Sequence, residues 1–201
     1  MNRVRLALCF LSLSAFTACG GDDPAGVGNS IEGTLLGEAF TVRGAFYTHA
    51  VLQDQPTLVV YLVDYEGGCT PAPRPNPEGR YSAFMLAFFA FEDGARVPVT
   101  PGRSELGVAG TEVPATGPVH YFQALLARGE DPSGASQVPE EQSQAVVGTA
   151  NLERLGHVAG ERTQGSFEVE VGTQRDAVRG HFDATYCSGQ AVSELGAGAR
   201  L

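Results

Sequence analysis

The chain contains no lysine and no tryptophan, and none of its four cysteines forms a Cys-x-x-Cys pair. Each absence removes a class of function. Without lysine there is neither a Ser-x-x-Lys nucleophile motif nor a Gly-x-x-x-x-Gly-Lys phosphate loop. No Gly-x-Ser-x-Gly elbow, Rossmann fingerprint or EF-hand loop occurs either. The missing Cys-x-x-Cys spacing argues against thiol-redox and zinc-ribbon chemistry. Lack of tryptophan weakens a carbohydrate-stacking role. No long amphipathic helix and no repeat of solenoid length is evident.

Positive charge is also scarce. All 13 basic residues are arginine, against 23 acids, for a formal net charge of −10. Two of them, Arg3 and Arg5, sit at the extreme amino terminus, which leaves 11 arginines against 23 acids in the rest of the chain. No basic stripe is left to neutralise phosphates, so nucleic acid is not an expected partner. Anionic lipid headgroups should repel such a surface.

Behind Arg3 and Arg5, residues 6–16 are apolar apart from Ser12 and Ser14 and run into Phe16-Thr17-Ala18-Cys19. A basic start, a short apolar run and small residues before a cut form a secretory signal. The run is shorter than the roughly 20 residues of a spanning helix. Ordinary signal peptidase favours a small residue three positions before the cut, and Phe16 stands there. The segment instead resembles a bacterial lipobox, with Phe16 where leucine is usual. The resemblance implies a lipid on Cys19 and a membrane contact through it. The competing reading is a cleaved secretory signal with an incidental cysteine. Gly20 lacks the acidic character that retains enteric lipoproteins at the inner membrane, so the expected location is the cell envelope, at the outer membrane.

Cysteine arithmetic agrees. Cys9 leaves with the signal, and an odd remainder of Cys19, Cys69 and Cys187 needs an explanation. Lipidation of Cys19 leaves Cys69 and Cys187 free to pair in an oxidising compartment. The loop so closed exceeds 100 residues, worth about 4–5 kcal/mol on the chain-entropy model.

After a Gly-rich polar stretch that reads as a flexible tether, strand signals dominate. Leu36-Gly37-Glu38 predicts a tight hairpin turn. Phe40, Val42, Gly44 and Phe46 alternate with polar or small residues as in a half-buried strand. Residues 57–63 are apolar on both faces and β-branched, which predicts a central strand. Residues 82–91 carry four phenylalanines, and between these two runs lie prolines at alternate positions after Cys69, predicting a stiff extended loop. Val97-Pro-Val-Thr-Pro reads as an edge strand entering a turn. Residues 120–126 form another strand, residues 127–144 a long polar loop, with a short helix expected from Pro139. In the last third, 145–155, 165–172 and 180–187 are strands. Phe167, Val169 and Val171 alternate with Ser166, Glu168 and Glu170, while Phe182, Ala184 and Tyr186 alternate with His181, Asp183 and Thr185. The division expected is a signal at 1–18, a lipidated tether at 19–30, and one all-β domain at 31–201, an antiparallel sandwich or partly closed barrel of about eight strands.

Gly33-Thr-Leu-Leu-Gly37, Phe40, Cys69, Gly165-Ser-Phe and the terminal Gly180-His-Phe-Asp-Ala-Thr-Tyr-Cys187 resemble a group of uncharacterised exported lipoproteins from myxobacteria and their relatives. The resemblance implies the all-β fold and the Cys69–Cys187 pairing, and it implies no activity.

Candidate chemistry is sparse. His49, His120, His157 and His181 are the available histidines. His181 and Asp183 stand two apart on one strand, so both point to one face. Glu168 and Glu170 do the same on a neighbouring strand. Together these four form a candidate metal-ligand set, although alternation alone predicts them as the wet faces of two antiparallel strands. Tyr47, Tyr61, Tyr65, Tyr81 and Tyr121 are candidates for stacking on a glycan. The reading that follows is a non-catalytic cell-envelope lipoprotein that binds a partner or supports the surface, with no cofactor. Metal binding through His181 and Asp183 and glycan binding through exposed tyrosines are the alternatives.

Overall fold

A computed structural model describes residues 28–52, 55–67, 69, 73–107, 116–130 and 141–187. The lipidation site at Cys19 and nearly all of the tether lie outside these residues, whereas the loop expected at 127–144 and the helix expected from Pro139 give way at both described ends to strand, through Gly129 and from Glu141 onward. Eleven strands run in order: β1 (Ser30–Leu35), β2 (Glu38–Ala39), β3 (Gly44–Leu52), β4 (Gln55–Val63), β5 (Tyr81–Glu92), β6 (Ala95–Val97), β7 (Gly102–Leu106), β8 (Pro118–Gly129), β9 (Glu141–Arg154), β10 (Arg162–Val171) and β11 (Asp176–Tyr186). No helix occurs among the described residues.

The strands form a closed barrel. Following hydrogen-bonded neighbours, β10, β9, β7, β8, β5, β4, β3 and β11 make a ring of eight, shut by the β10–β11 pairing. The β1–β2 hairpin extends from β11, and β6 is a short edge strand on β5. Closure removes the free edges that an open sheet must otherwise protect. The barrel is mixed rather than purely antiparallel, because β7 runs parallel to β8 and β11 parallel to β3. The β11–β3 contact is also short, with Thr185 opposite Phe46 and Tyr186 opposite Tyr47.

Alternation explains the inside. Leu58, Val60 and Leu62 of β4, Phe84, Leu86 and Phe88 of β5, and Phe122, Ala124 and Leu126 of β8 point inward. Phe167, Val169 and Val171 of β10 meet them from across the barrel with Val178, Phe182 and Ala184 of β11. Ring centroids lie 5.2 Å apart for Phe84–Phe167, 5.9 Å for Phe88–Phe122 and 6.3 Å for Phe88–Phe182. The interior is therefore packed with side chains, and each buried phenylalanine contributes about 1.5–3 kcal/mol.

The outside is divided into two walls. On β3, β4, β5 and β8 the outward residues are apolar too, with Phe46, Val59, Tyr61, Val63, Met85, Phe89 and Leu125 all buried. This is why residues 57–63 and 82–91 read as apolar on both faces. Cys187, disulfide-bonded to Cys69, belongs to this outer cluster, and Arg96 lays its guanidinium 4.4 Å from the Phe89 ring centroid. On β1, β11, β10, β9 and β7 the outward residues are mostly polar, with Val146 and Val147 of β9 the large apolar exceptions.

Two expectations change in detail. Phe46 was expected on the same face as Phe40 and Val42, but those two pack inward while Phe46 joins the outer cluster. Strand β3 starts only at Gly44, so the alternation does not carry through from Phe40. Strand β7 begins at Gly102, directly after the Val97-Pro-Val-Thr-Pro segment, of which only Val97 is in the edge strand β6. The first hairpin does turn at Leu36-Gly37, both with positive φ (56° and 78°), the two-residue type I′ geometry that suits twisted strands.

Candidate functional site

The residues expected to hold a metal sit on the polar wall. His181 and Asp183 project outward from β11, Glu168 and Glu170 from β10, on the same side of the sheet. The register separates them. Gln164 stands opposite Asp183, Ser166 opposite His181, Arg179 opposite Glu168, and Ala177 opposite Glu170. Two of the carboxylates are already engaged. Arg162 donates from Nε to Asp183 Oδ1 at 2.5 Å and from Nη2 to the Asp183 carbonyl at 2.9 Å. Arg175 pairs with Glu170. Among the described residues, no three His, Cys, Asp or Glu side chains are grouped to hold a metal ion. The proposed set is thus one wet strand face, and the cross-strand ladder explains its polarity without a cation.

The tyrosines are likewise not gathered. Tyr47 is buried in the interior, Tyr61 and Tyr65 in the outer apolar cluster. Burial raises the Tyr61 phenol well above its ordinary value, and burial together with the nearby Asp64 charge does the same at Tyr65. Tyr81 packs edge-on against Tyr65, and Tyr121 edge-on against Phe91. These five do not form a coplanar platform along a groove.

The polar wall does carry a groove of about 450 Å³ on its outer side. Its walls follow from strand register. One cross-strand row runs Ser30 (β1), His181 (β11), Ser166 (β10), Asn151 (β9) and Arg103 (β7). The next row runs Glu32, Arg179, Glu168, Thr149 and Glu105 over the same five strands. An ion pair stands toward each end. Arg179 Nη2 lies 2.6 Å from Glu32 Oε2, and Arg103 Nε lies 3.1 Å from Glu105 Oε1. Between them, Glu168, Ser166, Thr149, Asn151 and His181 present carboxylate, hydroxyl, amide and imidazole groups to solvent.

Glycines beneath the groove bring the strands close. Gly165 faces Phe182 across the β10–β11 pair, and Gly180 faces Phe167. A Cβ added at Gly180 would fall 2.3 Å from the Ser30 carbonyl oxygen and 2.7 Å from Phe167 Cζ. At Gly165 it would fall 2.3 Å from the Asn151 oxygen. The phenylalanine rings occupy the space the missing side chains leave, the cross-strand aromatic cover known to stabilise sheet glycines.

Two further polar clusters are structural in character. At the seam where β1–β2 leaves the barrel, a pocket of about 580 Å³ is lined in part by Arg43, Arg80 and Arg128. Arg128, whose side chain is only 8% exposed, is held by Glu38 at 3.2 Å and Glu141 at 3.4 Å. Asp64 spends its oxygens on the Ser82 N–H (2.7 Å) and the Asn76 amide (2.8 Å). At the barrel end, residues 155–161 fold back over Tyr47, whose hydroxyl donates to the Glu161 carbonyl at 3.4 Å. The His157 N–H donates to the Glu161 carboxylate at 2.7 Å and holds it below the usual carboxylate range. The His49 and His157 rings stand parallel with centroids 6.3 Å apart.

Sequence reasoning found the middle of the groove, through the alternation of β10 and β11. It missed Ser30, Glu32, Arg103, Glu105, Thr149 and Asn151, because only long-range pairing brings β1, β9 and β7 alongside. Comparison with family models, curated proteins and solved structures returns no match.

Proposed function

We propose that the chain is an exported lipoprotein, tied to the cell envelope through a lipid on Cys19, whose barrel is a non-catalytic binding module. Its recognition surface is the polar wall of β1, β11, β10, β9 and β7. The observation that carries this reading is the pair of polar rows crossing five strands on one outer face, above an interior already filled by phenylalanine. A packed barrel holds no ligand inside, so recognition falls to the exterior. A barrel that itself spanned a bilayer would carry an apolar outer band. Here the outward residues of five strands include Glu32, Arg179, Glu168, Arg103 and Glu105, which supports a lipid tail as the membrane contact instead. The Cys69–Cys187 disulfide suits an oxidising, exported location.

The reading is tested by two measurements on the full chain. Metabolic labelling with palmitate in a bacterial host should mark the wild type and leave Cys19→Ala unlabelled; equal labelling removes the anchor. The Cys19→Ala chain, incubated with isolated envelopes, should sediment with them, and Glu168→Gln with Asn151→Ala in that background should stay in solution. Equal sedimentation of both removes the polar wall as the recognition face.

A further inference from the structure

We infer that the groove takes a linear, uncharged glycan laid across the strands and read by hydrogen bonds from side chains alone. The inference rests on the proposed role of the polar wall as a recognition face and names what that face binds.

Four features of the site lead there. The first is geometry. Each of the two rows offers one polar side chain per strand, so donors and acceptors repeat at the interstrand spacing of about 4.8 Å and extend over about 19 Å across five strands. A linear oligosaccharide presents one hydroxyl-bearing ring after another at a comparable repeat, and a groove of about 450 Å³ has room for a few such rings.

The second is charge. Arg179 is answered by Glu32 in its own row and Arg103 by Glu105 in the next. The remaining carboxylate, Glu168, sits mid-groove opposite Arg179. A polyanion would find both arginines already paired and Glu168 facing it, so neither nucleic acid nor an acidic polymer fits. A neutral ligand meets no such penalty.

The third is the engagement of the backbone. An extended peptide binds a sheet by adding a strand to a free edge. The three central strands of the groove are paired on both sides, β11 by β10 and β1, β10 by β9 and β11, and β9 by β7 and β10. Across them only side chains remain to recognise anything. A folded protein partner would in turn use apolar anchors at the centre of its interface, whereas the groove centre holds Ser166, Asn151, Thr149, His181 and Glu168. Val147, nearly half exposed, stands opposite Glu170 one rung beyond the two rows, at the rim.

The fourth is the chemistry of the groups. A sugar hydroxyl both donates and accepts, and the rows mix acceptors (Glu168), donors (Arg103, Arg179) and groups that do both (Ser30, Ser166, Thr149, Asn151, His181). Holding Arg179 and Arg103 in ion pairs orients them before a ligand arrives, which lowers the ordering cost of binding.

The test titrates the full chain with chitotetraose and with cellotetraose, each beside its disaccharide, by isothermal calorimetry and ligand-observed NMR. Expected is binding of at least one tetrasaccharide, more tightly than of its disaccharide. Glu168→Gln combined with Asn151→Ala should weaken it by about tenfold or more, since hydrogen bonds to a charged group are worth about 1.5–3 kcal/mol. Both residues are exposed, so an unchanged melting temperature reports an intact fold, and Glu66→Gln, outside the groove, should bind as the wild type does. Binding of neither tetrasaccharide, or affinity indifferent to chain length or to the double substitution, overturns the inference. Binding of a neutral tetrapeptide in place of the sugars overturns it in favour of a peptide. If the envelope sedimentation described above depends on Glu168 and Asn151 while no sugar binds, the glycan falls and the recognition face stands; if neither depends on them, both fall.

Discussion

Removing the Cys69–Cys187 disulfide should cost far more than the loss of two small side chains. The bridge joins positions 118 residues apart. On the chain-entropy model a loop of that length restricts the unfolded ensemble by about 16 cal/mol/K, or about 5 kcal/mol at 25 °C. Its position adds to the effect. Cys187 directly follows β11, and its N–H donates to the Tyr47 carbonyl at 2.8 Å, extending the two-residue parallel seam between β11 and β3, a short join in the closed ring. For a domain of this size each kcal/mol moves the melting temperature by about 2–4 °C, so Cys69→Ala with Cys187→Ala should melt about 10–20 °C below the wild type. Urea unfolding of the double variant measures the free energy. A wild-type sample kept under a reductant separates the loss of the bond from the small void left at Cys187, which is buried while Cys69 is exposed. Amide exchange should accelerate first at Cys187, ahead of the long β10–β11 ladder. A shift of less than about 3 °C in both the variant and the reduced protein, with exchange at Cys187 unchanged, would refute the argument that this bond clamps that seam.

Three other outcomes follow from the same geometry. Gly180→Ala should destabilise the domain by about 2 kcal/mol or more in urea unfolding, because the new methyl meets both the Ser30 carbonyl and the Phe167 ring; a loss under about 0.5 kcal/mol contradicts it. Zinc, manganese and EDTA should each leave the melting temperature unchanged, since the carboxylates near His181 are tied to arginines or kept apart by register; a zinc-dependent rise abolished by His181→Ala would restore the metal reading. The Glu161 carboxylate is held below its ordinary value of 4.5, chiefly by the His157 N–H. Its hold on residues 155–161 is therefore fully present above pH 4.5 and weakens as the pH falls through the lower folded value. Protection of the His157 amide, its exchange rate taken relative to the intrinsic rate at each pH, should fall in acid in the wild type, and Glu161→Gln should flatten that dependence.

Much of the barrel was legible because its interior obeys a strict period of two. Phe167-Val169-Val171 and Phe182-Ala184 declare an inward face, and the intervening polar residues declare the opposite one. The double-sided runs of β4 and β5 marked central strands, since a strand covered on both faces needs no polar residues. What stayed illegible was pairing at a distance. Nothing in Gly102-Arg-Ser-Glu-Leu106 states that it lies parallel to β8, and no local pattern tells β11 to adjoin β3 through two residues. The sign of the alternation in β3 was also lost, because both sides of that strand are buried and hydrophobicity no longer distinguishes them.

The same logic explains why the candidate site was seen only in part, and offered both as a metal-ligand set and as a plain wet strand face. Two residues apart on one strand means the same face, so His181 with Asp183 and Glu168 with Glu170 were correctly placed on a surface. Whether two such pairs converge depends on register, which alternation does not encode. The actual register sets Arg179 between Glu168 and Glu32 on neighbouring strands, Arg162 beside Asp183, and Ser166 opposite His181. Shifting β10 by two residues against β11 would keep every phenylalanine inside, yet would bring Glu168 opposite His181 and dissolve the rows into a different pattern. Hydrophobic burial is indifferent between those two registers. The Gly180–Phe167 and Gly165–Phe182 pairs are not, because each ring needs a bare backbone opposite it. Those two glycines hold the register, and the register composes the groove.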